Sequence, residues 1–132
     1  MRKKLDPAHM GRWGEDTACA FLRLKGLKIL ERNYRVGHLE IDIIARDKEE
    51  LVFVEVKVRC GKDYGGPWGA VDWKKQRVLT RAAAGYLARG KYPVRACRFD
   101  VVAIAIDEHA TGMQLKHIER AFDISGELGL FF

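Results

Sequence analysis

Asp42, Glu55 and Lys57 interrupt two stretches that otherwise read as protein core, Ile41-Asp42-Ile43-Ile44 and Leu51-Val52-Phe53-Val54-Glu55-Val56-Lys57-Val58. Carboxylates and lysines are seldom fully buried unless they are paired or bound to a metal. Two carboxylates brought together repel, and a divalent cation between them turns repulsion into attraction. Hard carboxylate oxygens suit Mg²⁺ or Mn²⁺, which keep waters in their remaining positions. A cation held in this way lowers the pKa of a bound water and stabilises charge on a phosphodiester undergoing attack. Lys57, two residues beyond Glu55, could orient that water or the phosphate. Glu-x-Lys alone is common. With an upstream Asp on a paired strand it is more specific, and the plain alternative is an ion pair with a solvating role only.

The elements that must position these residues are two strands joined by the charged turn Arg46-Asp47-Lys48-Glu49-Glu50. A turn centred on Lys48-Glu49 sets Asp42 directly opposite Glu55, with Cβ atoms ~5 Å apart. A two-residue slip would set Asp42 against Phe53 or Lys57 instead. Regular alternation places Ile41, Ile43 and Ala45 on one face and Glu40, Asp42 and Ile44 on the other. In the next strand Val52, Val54, Val56 and Val58 form one face, and Leu51, Phe53, Glu55, Lys57 and Arg59 the second. Strands apolar on both faces belong in the middle of a covered sheet.

Before this hairpin, residues 8–25 have helical periodicity, with Trp13, Thr17, Ala20, Phe21 and Leu24 on one apolar face. Glu15 falls beside Ala18 and Leu22, either as a further metal or water ligand or as a first-turn acid favoured by the helix dipole. Gly26 closes the helix, and residues 27–35 form a first strand. After the hairpin, the glycine-rich loop 61–69 carries Lys62, Tyr64 and Trp68. Basic and aromatic loop residues suit nucleic acid, although Trp68 packing under its own loop fits equally well.

A second helix covers residues 71–89, with Val71, Val78, Ala82 and Tyr86 on its apolar face. Lys74, Arg77 and Arg81 share a stripe without acidic partners, which favours a phosphate-binding face over a merely solvated one. Residues 98–106 read as a buried strand, 113–118 as a short edge strand, and 124–132 as an apolar tail. The order is α-β-β-β-α-β-β, an α/β layer with a mixed sheet.

The 132 residues suit a single domain, 1–132, with residues 1–7 flexible. Its composition, 48% apolar and 32% charged, is globular rather than disordered. No apolar run approaches a membrane span, and the basic N-terminus lacks the apolar segment of a secretory signal. The expectation is a cytoplasmic protein. Cys19, Cys60 and Cys97 lack zinc-ribbon spacing and read as reduced thiols, Cys19 packed in its helix. His9, His38, His109 and His117 read as surface or loop residues. The net charge of +6 is segregated: residues 57–98 hold eleven Lys/Arg against two Asp/Glu, and residues 36–56 two against six. Such clustering fits a polyanionic partner.

Several motifs together resemble one family. They are Gly11-Arg12-Trp13-Gly14-Glu15, Arg32-Asn33-Tyr34-Arg35, Glu40-Ile41-Asp42, Val52-Phe53-Val54-Glu55-Val56-Lys57-Val58-Arg59 and Arg98-Phe99-Asp100-Val101-Val102. The chain is similar to the bacterial UPF0102, or YraN-like, family, related to archaeal Holliday-junction resolvases in the PD-(D/E)xK superfamily. The resemblance implies a restriction-endonuclease-like three-layer fold and an Mg²⁺-dependent phosphodiesterase site at Glu15, Asp42, Glu55 and Lys57. It also implies a homodimer acting on DNA, branched DNA included. Leu39 departs from the glycine usual before Glu-Ile-Asp.

Overall fold

The computed structural model describes residues 7–61, 71–90, 96–107, 109 and 111–122. The loop residues Lys62, Tyr64 and Trp68, the N-terminal residues 1–6 and the tail 124–132 lie outside the described residues. Seven elements follow in the expected order: α1 (Pro7–Leu24), β1 (Lys28–Val36), β2 (Leu39–Asp47), β3 (Glu50–Cys60), α2 (Trp73–Ala88), β4 (Ala96–Ile106) and β5 (Met113–Phe122). The strands form one five-stranded sheet in sequence order. Only β3 and β4 are parallel, and α2 lies within the long connection that a parallel pair requires.

Among the described residues, one helix covers each face. On the first, Ala18, Cys19 and Leu22 of α1 pack with Ile43, Ala45, Val52, Val54, Val102 and Ile104. On the second, Leu79, Ala82, Ala83 and Tyr86 of α2 pack with Ile41, Ile44, Leu51, Phe53 and Phe99. β3 and β4 are therefore apolar on both sides, which is why they occupy the interior of the sheet.

Both helix faces are rotated from the expectation. Trp13 and Leu24 remain 40% and 87% exposed, and α1 instead buries Ala18, Cys19 and Leu22. On α2, Leu79 is central and Val78 only half-buried. Small residues decide the first case, because Gly14 lets α1 approach β3 so closely that an added Cβ would collide with Val58 Cγ2. The flank that carries Glu15 is thereby the buried one. Gly26 ends α1 with φ +97°, and Leu27 N–H donates to the Leu22 carbonyl at 3.0 Å, as the left-handed helix ending predicts.

Two further expectations are corrected. β5 runs to Phe122, well past residue 118, pairing with β4 along most of its length. His117 is a half-buried strand residue, not a surface one, with its side chain only 3% exposed. Its Nε2 lies 2.8 Å from Asp100 and its Nδ1 2.7 Å from Lys25 Nζ. Asp100 also accepts from Arg98, whose Nη1 reaches Glu50 at 2.8 Å and Asp47 at 3.2 Å. This ionic cluster ties β4 and β5 to the β2–β3 turn, and its buried charges are compensated within the fold.

Gly14→Ala should therefore force α1 away from β3 and destabilise the protein by about 1–3 kcal/mol, as overpacking does. A thermal melt reads this directly. An unchanged melting temperature would contradict the close approach.

Candidate functional site

The site arises where the β2–β3 hairpin comes apart. Paired positions run from Asp47–Glu50 to Ile43–Val54, the register expected from a turn centred on Lys48-Glu49. Asp42 and Glu55 stand one position beyond the last of these pairs. At this point Asp42 Oδ2 accepts the Val56 N–H at 2.8 Å. A carboxylate thus takes a donor that a strand backbone would otherwise satisfy, and Asp42 is fixed at the mouth of a fork.

The regular alternation expected for β2 fails here. Ile43 packs on the α1 side of the sheet, whereas Ile41 packs on the α2 side with Ile44. The switch coincides with a gap in the β1–β2 ladder, where Arg32 pairs Ile43 and Tyr34 pairs Ile41. Between them stand Asn33 and Asp42, and Asn33 has φ +51°. Asparagine tolerates this left-handed conformation better than most residues. At this break the β2 side chains change faces around Asp42. Leu39 opens β2 opposite Val36 and packs on the α2-side core.

Asp42 consequently meets groups from both layers. Toward α1 it lines a cleft of about 350 Å³ together with Met10, Gly11, Glu15, Val56 and Val58. On the α2 side Glu55 bears on it through hydrogen bonding and negative charge. Glu55 in turn forms an ion pair with Lys75 of α2 at 3.2 Å, its side chain 11% exposed. Lys57, half-buried two residues further along β3, has the same strand parity as Glu55.

The electrostatics are those of a crowded acidic site. Burial, then the hydrogen bond and negative charge of Glu55, raise the Asp42 pKa from 3.8 to about 7, against the opposing pull of the Val56 N–H and Lys75. Burial, then Asp42, also raise Glu15, while a hydrogen bond from Asn33 works the other way. Glu15 Oε1 is buried with no hydrogen-bond partner. A buried acceptor without a partner, beside an Asp42 carboxyl whose pKa a second carboxylate raises, is an arrangement that a cation or a bound water satisfies.

Among the described residues no group of three His, Cys, Asp or Glu side chains forms a ready-made metal cage. The arrangement is a carboxylate pair with Glu15 near one member. That donor set fits Mg²⁺ or Mn²⁺, which are commonly held by one or two carboxylates with water completing the shell.

Two residues at the site were not anticipated. Asn33 carried a signal, since asparagine is depleted in strands. Lys75 lies one residue off the Lys74, Arg77, Arg81 stripe, and no periodicity singled it out. Those three stripe residues are all exposed on α2, and Trp73, 62% exposed, stands beside Lys74 with the ammonium 6.0 Å from the ring centroid.

The structure defines an α/β protein with a carboxylate-rich fork at the centre of a mixed sheet. Residues 14–104 match the model of the uncharacterised protein family UPF0102. The chain is 45% identical over 117 residues to a UPF0102 protein of Syntrophotalea carbinolica, covering 89% of this chain and 94% of that protein. It is 46% identical over 120 residues to a UPF0102 protein of Chlorobium phaeobacteroides, covering 88% and 95%. A UPF0102 protein of Moorella thermoacetica is 44% identical over 112 residues, covering 85% and 93%. The chain belongs to the UPF0102 family.

An acid whose folded pKa lies above its unfolded value binds its proton more tightly in the native state. Stability then falls as pH rises from about 4 toward 7, and is level above that range. Asp42→Asn keeps an acceptor for Val56 N–H and removes this loss. In chelator, it should raise stability at pH 8 by about 2 kcal/mol, with a smaller gain at pH 5. Melts at the two pH values check this, and an equal or smaller gain at pH 8 would contradict it.

Proposed function

We propose that this protein is a metal-dependent endonuclease that hydrolyses phosphodiester bonds in DNA, with branched or junction DNA as its substrate class. The observation that carries the reading is the cleft that Asp42 and Glu15 line together at the fork, with a buried Glu15 oxygen that has no hydrogen-bond partner and Glu55 one position beyond the last β2–β3 pair. Two acids held together at the cost of a raised pKa are poorly explained as structural filler, and perturbed carboxylates in a cleft mark a candidate active site.

In this reading Asp42 and Glu55 would hold Mg²⁺ or Mn²⁺, with Glu15 as a further oxygen donor to the cation or its water. When bound, the metal would supply activation of water and neutralisation of charge on the phosphate. The Val56 N–H keeps Asp42 from rotating out of the fork. Asn33 keeps the Glu15 carboxyl turned into the cleft. Lys57 orients the attacking water or the phosphate oxygen, a task that suits an ammonium with three donors.

The exposed cations Lys74, Arg77 and Arg81 hold the DNA backbone without reading sequence. Lys62 and Trp68, outside the described residues, are assigned to the same contact. The homodimer suggested by the resemblance would offer two such sites to the two equivalent strands of a junction. Among the described residues no helix is long and apolar enough to cross a membrane, and a cytoplasmic location belongs to the proposal.

The test incubates purified protein with duplex, flap and four-way-junction DNA in Mg²⁺, Mn²⁺ and chelator. Cleavage should need the metal and should fall at least 100-fold in Glu55→Gln and in Lys57→Ala, the scale lost with a transition-state contact. DNA binding without metal-dependent cleavage would favour a non-catalytic nucleic-acid-binding module. Cleavage that survives both substitutions would remove the proposed site.

A further inference from the structure

Lys75 stands apart from the other cations of α2. Its Nζ lies 3.2 Å from Glu55 Oε2, with the Lys75 side chain 45% exposed and that of Glu55 11% exposed. Lys74, Lys75, Arg77 and Arg81 are all exposed on this helix, and among them Lys75 is the one whose ammonium reaches the acidic fork, through Glu55. Its place in the chain is fixed as well. Asp72 caps α2 by accepting the Lys75 N–H at 2.9 Å, so the backbone at this position is tied to the helix start.

A cation in the first turn of a helix opposes the dipole, which favours acids there, and the first turn of α2 contains none. The helix dipole therefore gives no reason for Lys75. Glu55 does give one. A nearly buried carboxylate already beside Asp42 needs a positive partner, and Lys75 supplies it.

We infer that Lys75 is the internal counter-cation of the fork, holding Glu55 when no metal is bound and thereby setting how tightly a divalent cation can bind. The inference rests on the metal site proposed above and concerns how that site is regulated. Lys75 and the metal compete for the same carboxylate, since an ammonium near Glu55 repels an incoming dication and a dication weakens the lysine pair. Lys75 touches no reacting atom in this scheme. It acts through Glu55 and is a positioning residue.

The experiment titrates Mn²⁺ into wild type, Lys75→Met, Lys75→Arg and Glu55→Gln by calorimetry, and records each melting temperature in chelator and in saturating Mn²⁺. Lys75→Met should bind Mn²⁺ ~5-fold or more tightly than wild type, within the usual range of coupling between two sites. Its melting temperature should fall in chelator and return to the wild-type value in saturating Mn²⁺. Lys75→Arg should restore both wild-type values. Lys75→Gln, which keeps a donor for Glu55, carries the same expectation as Lys75→Met and serves if the latter folds poorly.

A Mn²⁺ affinity unchanged or weaker in Lys75→Met and Lys75→Gln, with melting temperature lowered equally with and without metal, would make Lys75 a purely structural partner and overturn the inference alone. Wild type that binds no Mn²⁺, or binds it as Glu55→Gln does, would overturn the metal site and the inference together.

Discussion

The hydrogen bond from Val56 N–H to Asp42 is the constraint on which the site depends. It ends the β2–β3 ladder while leaving both strands intact, because the donor exposed by the separation is satisfied by a side chain. Without it, the fork would carry an unpaired backbone donor, a cost of about 1–3 kcal/mol. With it, the hairpin can open where the chemistry is proposed and stay closed where the core needs it. β3 continues to Cys60 along β4, so the strand that carries Glu55 and Lys57 remains rigid beyond the fork.

The rest of the molecule supports this opening from both layers. α1 approaches through Gly14, which brings Glu15 to the cleft, and Asn33 in β1 hydrogen-bonds that Glu15. α2 approaches through its capped first turn and places Lys75 on Glu55. The ionic cluster of Arg98, Asp100 and His117 ties β4 and β5 to the closed end of the hairpin. One end of β2–β3 is therefore clamped by an arginine among several carboxylates, while the other gathers Asp42, Glu55 and Glu15 with Lys75 paired to Glu55. That asymmetry concentrates unfavourable electrostatics at the fork, as functional sites tend to do.

Much of the fold was legible in the sequence. Valine and isoleucine runs marked the interior strands, Gly26 marked the end of α1, and the Lys48-Glu49 turn gave the hairpin register. The site was legible in part, because Asp42, Glu55 and Glu15 conflict with the apolar positions around them. What escaped depends on distant contacts. The face of α1 departs from its sequence pattern because Trp13 and Leu24 dominate that periodicity, whereas close packing selects Gly14, Ala18 and Leu22. The face switch at Asp42 lies opposite Asn33, whose positive φ alternation rules do not anticipate. Lys75 and His117 acquire their roles only from partners far along the chain, Glu55 and Asp100 respectively.

The central claim is that Asp42 and Glu55 together bind a divalent cation at the fork. Crystals soaked in Mn²⁺ and measured at a wavelength where manganese scatters anomalously test it most directly. An anomalous peak is expected between the two carboxylates, roughly 2.0–2.3 Å from an oxygen of each. No peak at the fork in well-occupied soaks, or one held by other residues, would contradict the claim.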